Sequence, residues 1–215
     1  MKAMILAAGR GERMRPLTDT TPKPLLKIND KSLIEYHIES LNRAGVYQLV
    51  INTGWLGEQI KAFLGDGSRY GATIEYSIEP QTAFETGGGI FHALSRLSDP
   101  FIVVNGDIWT DYDFSVLKLQ PQKLAHLVLV DNPPQHPAGD FAIVDGLACS
   151  EGEQKLTFSG IGCYRKALFK GQEPGSFPLA PILKRFMSMG EVTAEYYTGM
   201  WNDIGTPERL QQINA

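Results

Sequence analysis

Short apolar runs and segments of helical period alternate along the chain. Met4-Ile5-Leu6-Ala7 is an unbroken apolar run, the pattern of a strand buried on both faces. Over 32–44, Leu33, Tyr36, His37, Ile38 and Leu41 recur near helical spacing. Ser32 with Glu35 reads as a capping box and Gly45 as a stop. Leu49-Val50-Ile51 predicts the next strand, 56–64 a short helix closed by Gly65, and 73–78 an alternating strand. Residues 90–97, after Gly87-Gly88-Gly89, read as a helix. Phe101–Val104 and Ala125–Val130 read as core strands, and 132–139 as a Pro- and His-containing loop. Short strands and glycines over 141–164 suggest a small antiparallel excursion. A helix near 179–189, a strand near 192–197 and a helix opening at Thr206-Pro207-Glu208 complete the pattern. Strands alternating with helices predict one α/β domain over 1–215, with a mainly parallel sheet and helices on both faces. Ligands in such sheets bind beyond the carboxyl ends of the strands. Three motifs sit at such ends and are expected to converge: the loop after Ala7, Asn105-Gly106-Asp107, and Trp201-Asn202-Asp203.

Composition narrows the class. The chain has 215 residues, 43% of them hydrophobic, enough for a core that needs no metal or disulfide staple. No apolar run is long enough to span a membrane. The first apolar run ends in Gly-Arg-Gly-Glu-Arg rather than at a leader cleavage site. Cys149 and Cys163 have no CxxC spacing and imply neither a disulfide framework nor zinc. A soluble cytoplasmic protein is expected. The net charge of −4 argues against nucleic acid. Within 1–28, however, Lys2, Arg10, Arg13, Arg15, Lys23 and Lys27 face only Glu12 and Asp19, a local basic patch suited to a small polyanion. Glycine is in excess, at 22 residues, which suggests close approach of backbone to a ligand. Gly9, Gly11, Gly87, Gly88, Gly89, Gly106, Gly139, Gly160 and Gly205 are expected to line one cleft.

The loop Leu6–Thr18, followed by Thr21-Pro22-Lys23-Pro24-Leu25, carries the clearest chemistry. Small residues let the backbone N–H groups around Ala8, Gly9 and Gly11 form an anion nest, and the Arg and Lys residues of the same loop neutralise the charge. The loop lacks the Gly-Lys-Ser/Thr of a P-loop, and Met14 occupies the third glycine position of the dinucleotide fingerprint. Asp107 or Asp203 alone reads as a turn former or helix cap. Together, beside a phosphate loop, they can supply the carboxylate oxygens that Mg²⁺ takes along with phosphates and water. Glu85-Thr86-Gly87-Gly88-Gly89 reads equally well as a flexible turn or as backbone open to a flat base. Asp113 reads as a cap, Asp111 as a more distant neighbour of the site, and Trp55 and Trp201 as either core or pocket wall.

The stretch LAAGRGERMRPLT…PKPL resembles the signature of the sugar-1-phosphate nucleotidyltransferases. Glu85–Ile90, Asn105-Gly106-Asp107, Trp109–Phe114, Gly139-Asp140-Phe141 and Trp201–Thr206 extend the resemblance to about residue 210. It implies a Rossmann-like fold and transfer of UMP from UTP to a sugar α-1-phosphate, releasing pyrophosphate. Within the family the whole chain looks most like members that act on N-acetylmuramate 1-phosphate in cell-wall recycling. The resemblance places Lys23 on the α-phosphate, Arg15 on the leaving pyrophosphate, and Mg²⁺ on Asp107 and Asp203. It assigns Ala8, Gly9, Gly11, Glu12, Arg13, Glu79 and Gly88 to the nucleotide, and Asn105, Asp140, Ser159 and Gly160 to the acceptor sugar. Many relatives have Glu-Lys-Pro before the sugar-edge strand, whereas this chain reads Glu151-Gly152-Glu153-Gln154-Lys155. The implied partners are UTP and a sugar phosphate, with no nucleic acid or membrane, and the chain is expected to be a monomer or weak homo-oligomer. Its length leaves no room for the repeat-built acyltransferase domain of some relatives, so a single activity is expected. Alternatives are transfer from another nucleotide or to another acceptor, and a regulatory subunit without catalysis. Retention of Arg15, Lys23, Asp107 and Asp203 disfavours the last.

Overall fold

The computed structural model describes residues 1–80 and 84–214. In chain order its strands begin with β1 (Lys2–Ala7), β2 (Lys27–Ile28), β3 (Lys31–Ser32), β4 (Gln48–Thr53), β5 (Thr73–Ile78) and β6 (Phe101–Asn105). They continue with β7 (Ile108–Thr110), β8 (Ala125–Val130), β9 (Ala142–Val144), β10 (Leu147–Cys149), β11 (Thr157–Tyr164), β12 (Val192–Tyr196) and β13 (Trp201–Asp203). The helices are α1 (Leu33–Arg43), α2 (Gly57–Leu64), α3 (Glu85–Ala93), α4 (Ala180–Met187) and α5 (Pro207–Asn214).

One nine-stranded sheet, ordered β5-β4-β1-β6-β11-β8-β12-β10-β9, carries the fold. β5, β4, β1 and β6 run parallel. The two-residue period of each strand sends alternate side chains to opposite faces. Ala3 and Ile5 of β1, with Ile102 and Val104 of β6, pack under α1 and α2 through Ile34, Ile38, Ile60 and Leu64. Met4, Phe101 and Val103 face the other way, onto Ile90 of α3 and Ile182 and Leu183 of α4. The expected doubly covered sheet follows from this alternation. The first helix starts where the sequence places it. The Glu35 carboxylate accepts from the Ser32 N–H at 3.0 Å and from the Ser32 hydroxyl at 2.7 Å.

Three local features differ from the sequence reading. Residues 141–164 do more than form an excursion. β9 and β10 make a hairpin at the sheet edge, and β11 returns to the centre, antiparallel between β6 and β8. The helix expected at 90–97 instead covers Glu85–Ala93 and contains all three glycines. Close packing overrides their poor helical propensity. A Cβ on Gly87 would lie 2.7 Å from the Phe177 ring, and one on Gly89 2.6 Å from Glu79 Oε1. Finally, β7 and β13 form a small antiparallel ribbon that pairs Asp203 with Ile108, next to Asp107.

Candidate active site

From β1 the chain steps to β4 and β5 on one side, then crosses through α3 to β6 on the other. Strand order therefore reverses at β1, and a crevice opens at the strands' carboxyl ends. A cavity of about 460 Å³ lies there, walled by Ala7–Gly9 and Gly11–Met14 after β1, Asn105–Asp107 after β6, and Lys23. Of the expected residues, Ala8, Gly9, Gly11, Glu12, Arg13, Lys23, Glu79, Asn105 and Asp107 line it, joined by Gly205. Gly106 lets the two strand ends approach: its N–H donates to the Leu6 carbonyl at 2.9 Å, and a Cβ there would stand 2.6 Å from that oxygen.

Two carboxylates of this region, Asp107 on the cavity wall and Asp203 behind it, are each held by a cation. Buried Lys23 donates from Nζ to Asp107 Oδ2 at 2.6 Å. Asp203 accepts from Arg209 Nη1 at 2.7 Å through Oδ2. Arg209, on α5, escaped the sequence reading because an Arg in a polar C-terminal helix carries no local signal. Gly205 brings the two regions together: it lines the cavity, and a Cβ on it would stand 3.1 Å from both Asp203 carboxylate oxygens. The ribbon holding these carboxylates is tied off by Asp111. Its Oδ1 accepts from the Met200 N–H at 2.7 Å and from the Tyr197 hydroxyl. Asp113, expected to cap a following helix, instead caps a turn that no helix follows, accepting from the Ser115 N–H at 2.9 Å. Among the described residues no cluster of three or more His, Cys, Asp and Glu side chains forms a metal cage. Asp107 on the cavity wall, with Asp203 just outside it behind Gly205, nevertheless suits Mg²⁺, which keeps waters and takes the rest of its oxygens from substrate phosphates.

Asn52 was missed, though it is a polar residue at the end of an apolar strand. Its Oδ1 accepts from the Ala7 N–H at 2.7 Å, and its Nδ2 donates to Glu79 Oε1 at 2.7 Å. Glu79 Oε2 accepts from the Phe84 N–H at 2.9 Å. Glu79 thus ties the start of α3 to β4 and β1 while lining the cavity. Glu85 and Thr86 are exposed on the cavity wall, and Glu85 holds φ +57, uncommon for a residue with a side chain.

Several expected residues stand elsewhere. Arg15 lies outside the cavity, with Nε 3.1 Å from Asp19. The tight turn Glu12–Met14 buries Met14 and leaves Arg13, not Arg15, on the cavity wall. Gly88 is packed inside α3, its N–H donating to Phe177 O at 3.0 Å. Gly87 and Gly89 are likewise packing positions, and Gly139 is a turn outside the cavity.

The acceptor residues beyond Asn105 serve the backbone. Asp140 accepts from the Phe158 N–H at 2.8 Å and lies 3.1 Å from His136 Nε2. Ser159 donates to Val128 O at 2.7 Å and accepts from the Ile161 N–H at 3.1 Å, pinning a bulge in β11. Gly160, at φ +83, sits against Asn105 so closely that a Cβ would come within 2.6 Å of its amide nitrogen. Trp55 and Trp201 act as ties: Trp201 Nε1 donates to Ser159 O at 2.9 Å, and Trp55 Nε1 to Thr18 O at 2.9 Å.

A family model described as nucleotidyl transferase matches residues 2–157. The N-acetylmuramate α-1-phosphate uridylyltransferase of Neisseria meningitidis is 51% identical, covering 100% of this chain and 97% of its own. The Caulobacter vibrioides protein of the same name is 32% identical, over 96% of this chain and 92% of its own. A crystal structure of a putative glucose-1-phosphate thymidylyltransferase from Bacillus anthracis superposes with a TM-score of 0.86 at 23% identity, over 100% of this chain and 94% of its own, which shows the shared fold. With its cavity at the strand-order reversal and a family match across most of its length, the chain belongs to the nucleotidyl transferase family.

Proposed function

We propose that this protein transfers UMP from UTP to N-acetylmuramate α-1-phosphate, giving UDP-N-acetylmuramate and pyrophosphate, in the recycling of cell-wall sugars in the cytoplasm. The observation that carries this reading is the 51% identity, over essentially the whole of both chains, to an enzyme of that name. A cavity with anion-binding backbone on one side and carboxylates on the other supports it.

The nucleophile is an oxygen of the sugar phosphate. A phosphate monoester loses its second proton near pH ~6, so no general base is needed. The obstacle is the meeting of two anions, and charge stabilisation and positioning carry the catalysis. The Ala8–Gly11 backbone holds the triphosphate. Lys23 takes the α-phosphate, and Arg13 steadies the departing pyrophosphate. Asn105 orients the acceptor, in the space that the absence of a side chain at Gly160 leaves for it. Asp107 and Asp203 are the ligands for Mg²⁺, which when bound supplies positive charge to the phosphate oxygens. Glu79, Glu85 and Thr86, which line the cavity, are the groups assigned to the base.

The test is pyrophosphate release with N-acetylmuramate 1-phosphate, Mg²⁺ and each of the four ribonucleoside triphosphates in turn. UTP is expected to give the fastest release. Preference for another nucleotide would refute the uridylyl assignment.

A further inference from the structure

The buried lysine assigned to the nucleotide and the carboxylate assigned to the metal are bonded to each other, Lys23 Nζ to Asp107 Oδ2 at 2.6 Å. This is the one hydrogen bond recorded for that ammonium among the described residues, and Lys23 is only 8% exposed. Lys23 engages Oδ2 of Asp107, whose side chain is 36% exposed, so the carboxylate stays open to solvent. The ammonium is buried, and a ligand that engages Lys23 must displace this short charge-assisted contact. The second carboxylate of the site is held differently, by Arg209 from α5.

Resting on the proposed roles of these two residues, we infer that the Lys23–Asp107 pair is a latch on the nucleotide subsite. In the free protein Asp107 competes with the triphosphate for Lys23. Release of the latch requires another cation to take over Asp107, so nucleotide and divalent cation each favour the other's binding. The linkage is reciprocal, and its strength is the free energy of the pair relative to its two exchanged contacts. The latch also keeps the buried ammonium compensated, since an unpaired buried charge would be costly.

The test is UTP binding by the intact protein in excess chelator, followed by calorimetry, with no turnover involved. Asp107→Asn is expected to bind UTP about tenfold more tightly than the unaltered protein, because Lys23 is released. Asp107→Ser is run beside it, in case the amide variant does not fold. Removing any negative charge near a polyanion also helps binding, so two controls isolate the latch. Asp203→Asn, which leaves the Lys23 pair intact, is expected to gain less than about threefold. In a Lys23→Met background the gain from Asp107→Asn is expected to fall to that generic level, less than about threefold. A gain of less than twofold for both Asp107 variants would overturn the latch, as would an equal gain with Lys23 already removed. These outcomes are separable from the assigned role of Lys23. If Lys23→Met alone weakens UTP binding while the Asp107 variants gain nothing, the latch fails and the role stands. If Lys23→Met binds UTP normally, both fall.

Discussion

The two sides of the cleft are built on different plans. On the proposed nucleotide side, one continuous loop places Ala8, Gly9, Gly11, Glu12, Arg13 and Lys23 on the cavity wall, so that motif and wall nearly coincide. On the acceptor side, Asp140, Ser159 and Gly160 face their own backbone. Asp140 fixes the start of β11, Ser159 pins its bulge, and Gly160 makes space for Asn105. Residues of one signature can therefore hold a ligand directly or hold the residue that does. Spacing alone does not separate these roles, whereas hydrogen-bond partners do.

The largest expected effect lies in the paired charges. Lys23→Ala or Asp107→Ala should each lower kcat by about 10²–10³, with the circular dichroism spectrum unchanged. A variant retaining a near-normal rate at saturating substrates and Mg²⁺ would break the distinction at its strongest point. Beneath this region His37 of α1 is fully buried, Nε2 has no hydrogen-bond partner, and burial lowers its pKa from 6.5 to about 4. Between those values the unfolded chain binds a proton that the native protein does not, so stability falls as the pH drops through this window. From pH 7 to 5 the loss from this group should be about 2 kcal/mol, read from urea unfolding. The loss should shrink in His37→Gln, and an unchanged pH dependence there would remove His37 as its source.

The acceptor side should respond more mildly and more selectively. Gly160→Ala forces a side chain into φ +83 and against Asn105. It should raise the KM for the sugar phosphate about tenfold while leaving the KM for UTP nearly unchanged. Equal increases in both would erase the division between the two sides. The smallest effect belongs to Arg15, paired with Asp19 at the exposed surface. Arg15→Ala should change kcat by less than about threefold, against a much larger loss for Arg13→Ala. The reverse order would restore Arg15 to the pyrophosphate.

Legibility in the sequence follows the range of the interactions. β1 and the Ser32–Glu35 cap are set by neighbouring residues and were read correctly. The phosphate loop was recognisable because its glycines and cations lie close together in the chain. The ribbon of β7 and β13 was hidden: two three-residue strands separated by most of the C-terminal half leave no periodic signal. The helical Gly87-Gly88-Gly89 segment was misplaced because its reason lies in residues 175–177 and Glu79, remote in sequence. The Ala7–Asn52–Glu79 chain of hydrogen bonds and the Arg209–Asp203 pair are long-range contacts between residues that look ordinary locally.

One competition experiment tests the central claim most directly. The protein is given UTP and Mg²⁺ with equal concentrations of N-acetylmuramate 1-phosphate, N-acetylglucosamine 1-phosphate and glucose 1-phosphate. The UDP-sugars formed are then quantified by mass spectrometry, so that the ratios report relative kcat/KM. UDP-N-acetylmuramate is expected to dominate the products by at least about tenfold. Predominance of either of the other UDP-sugars would contradict the account.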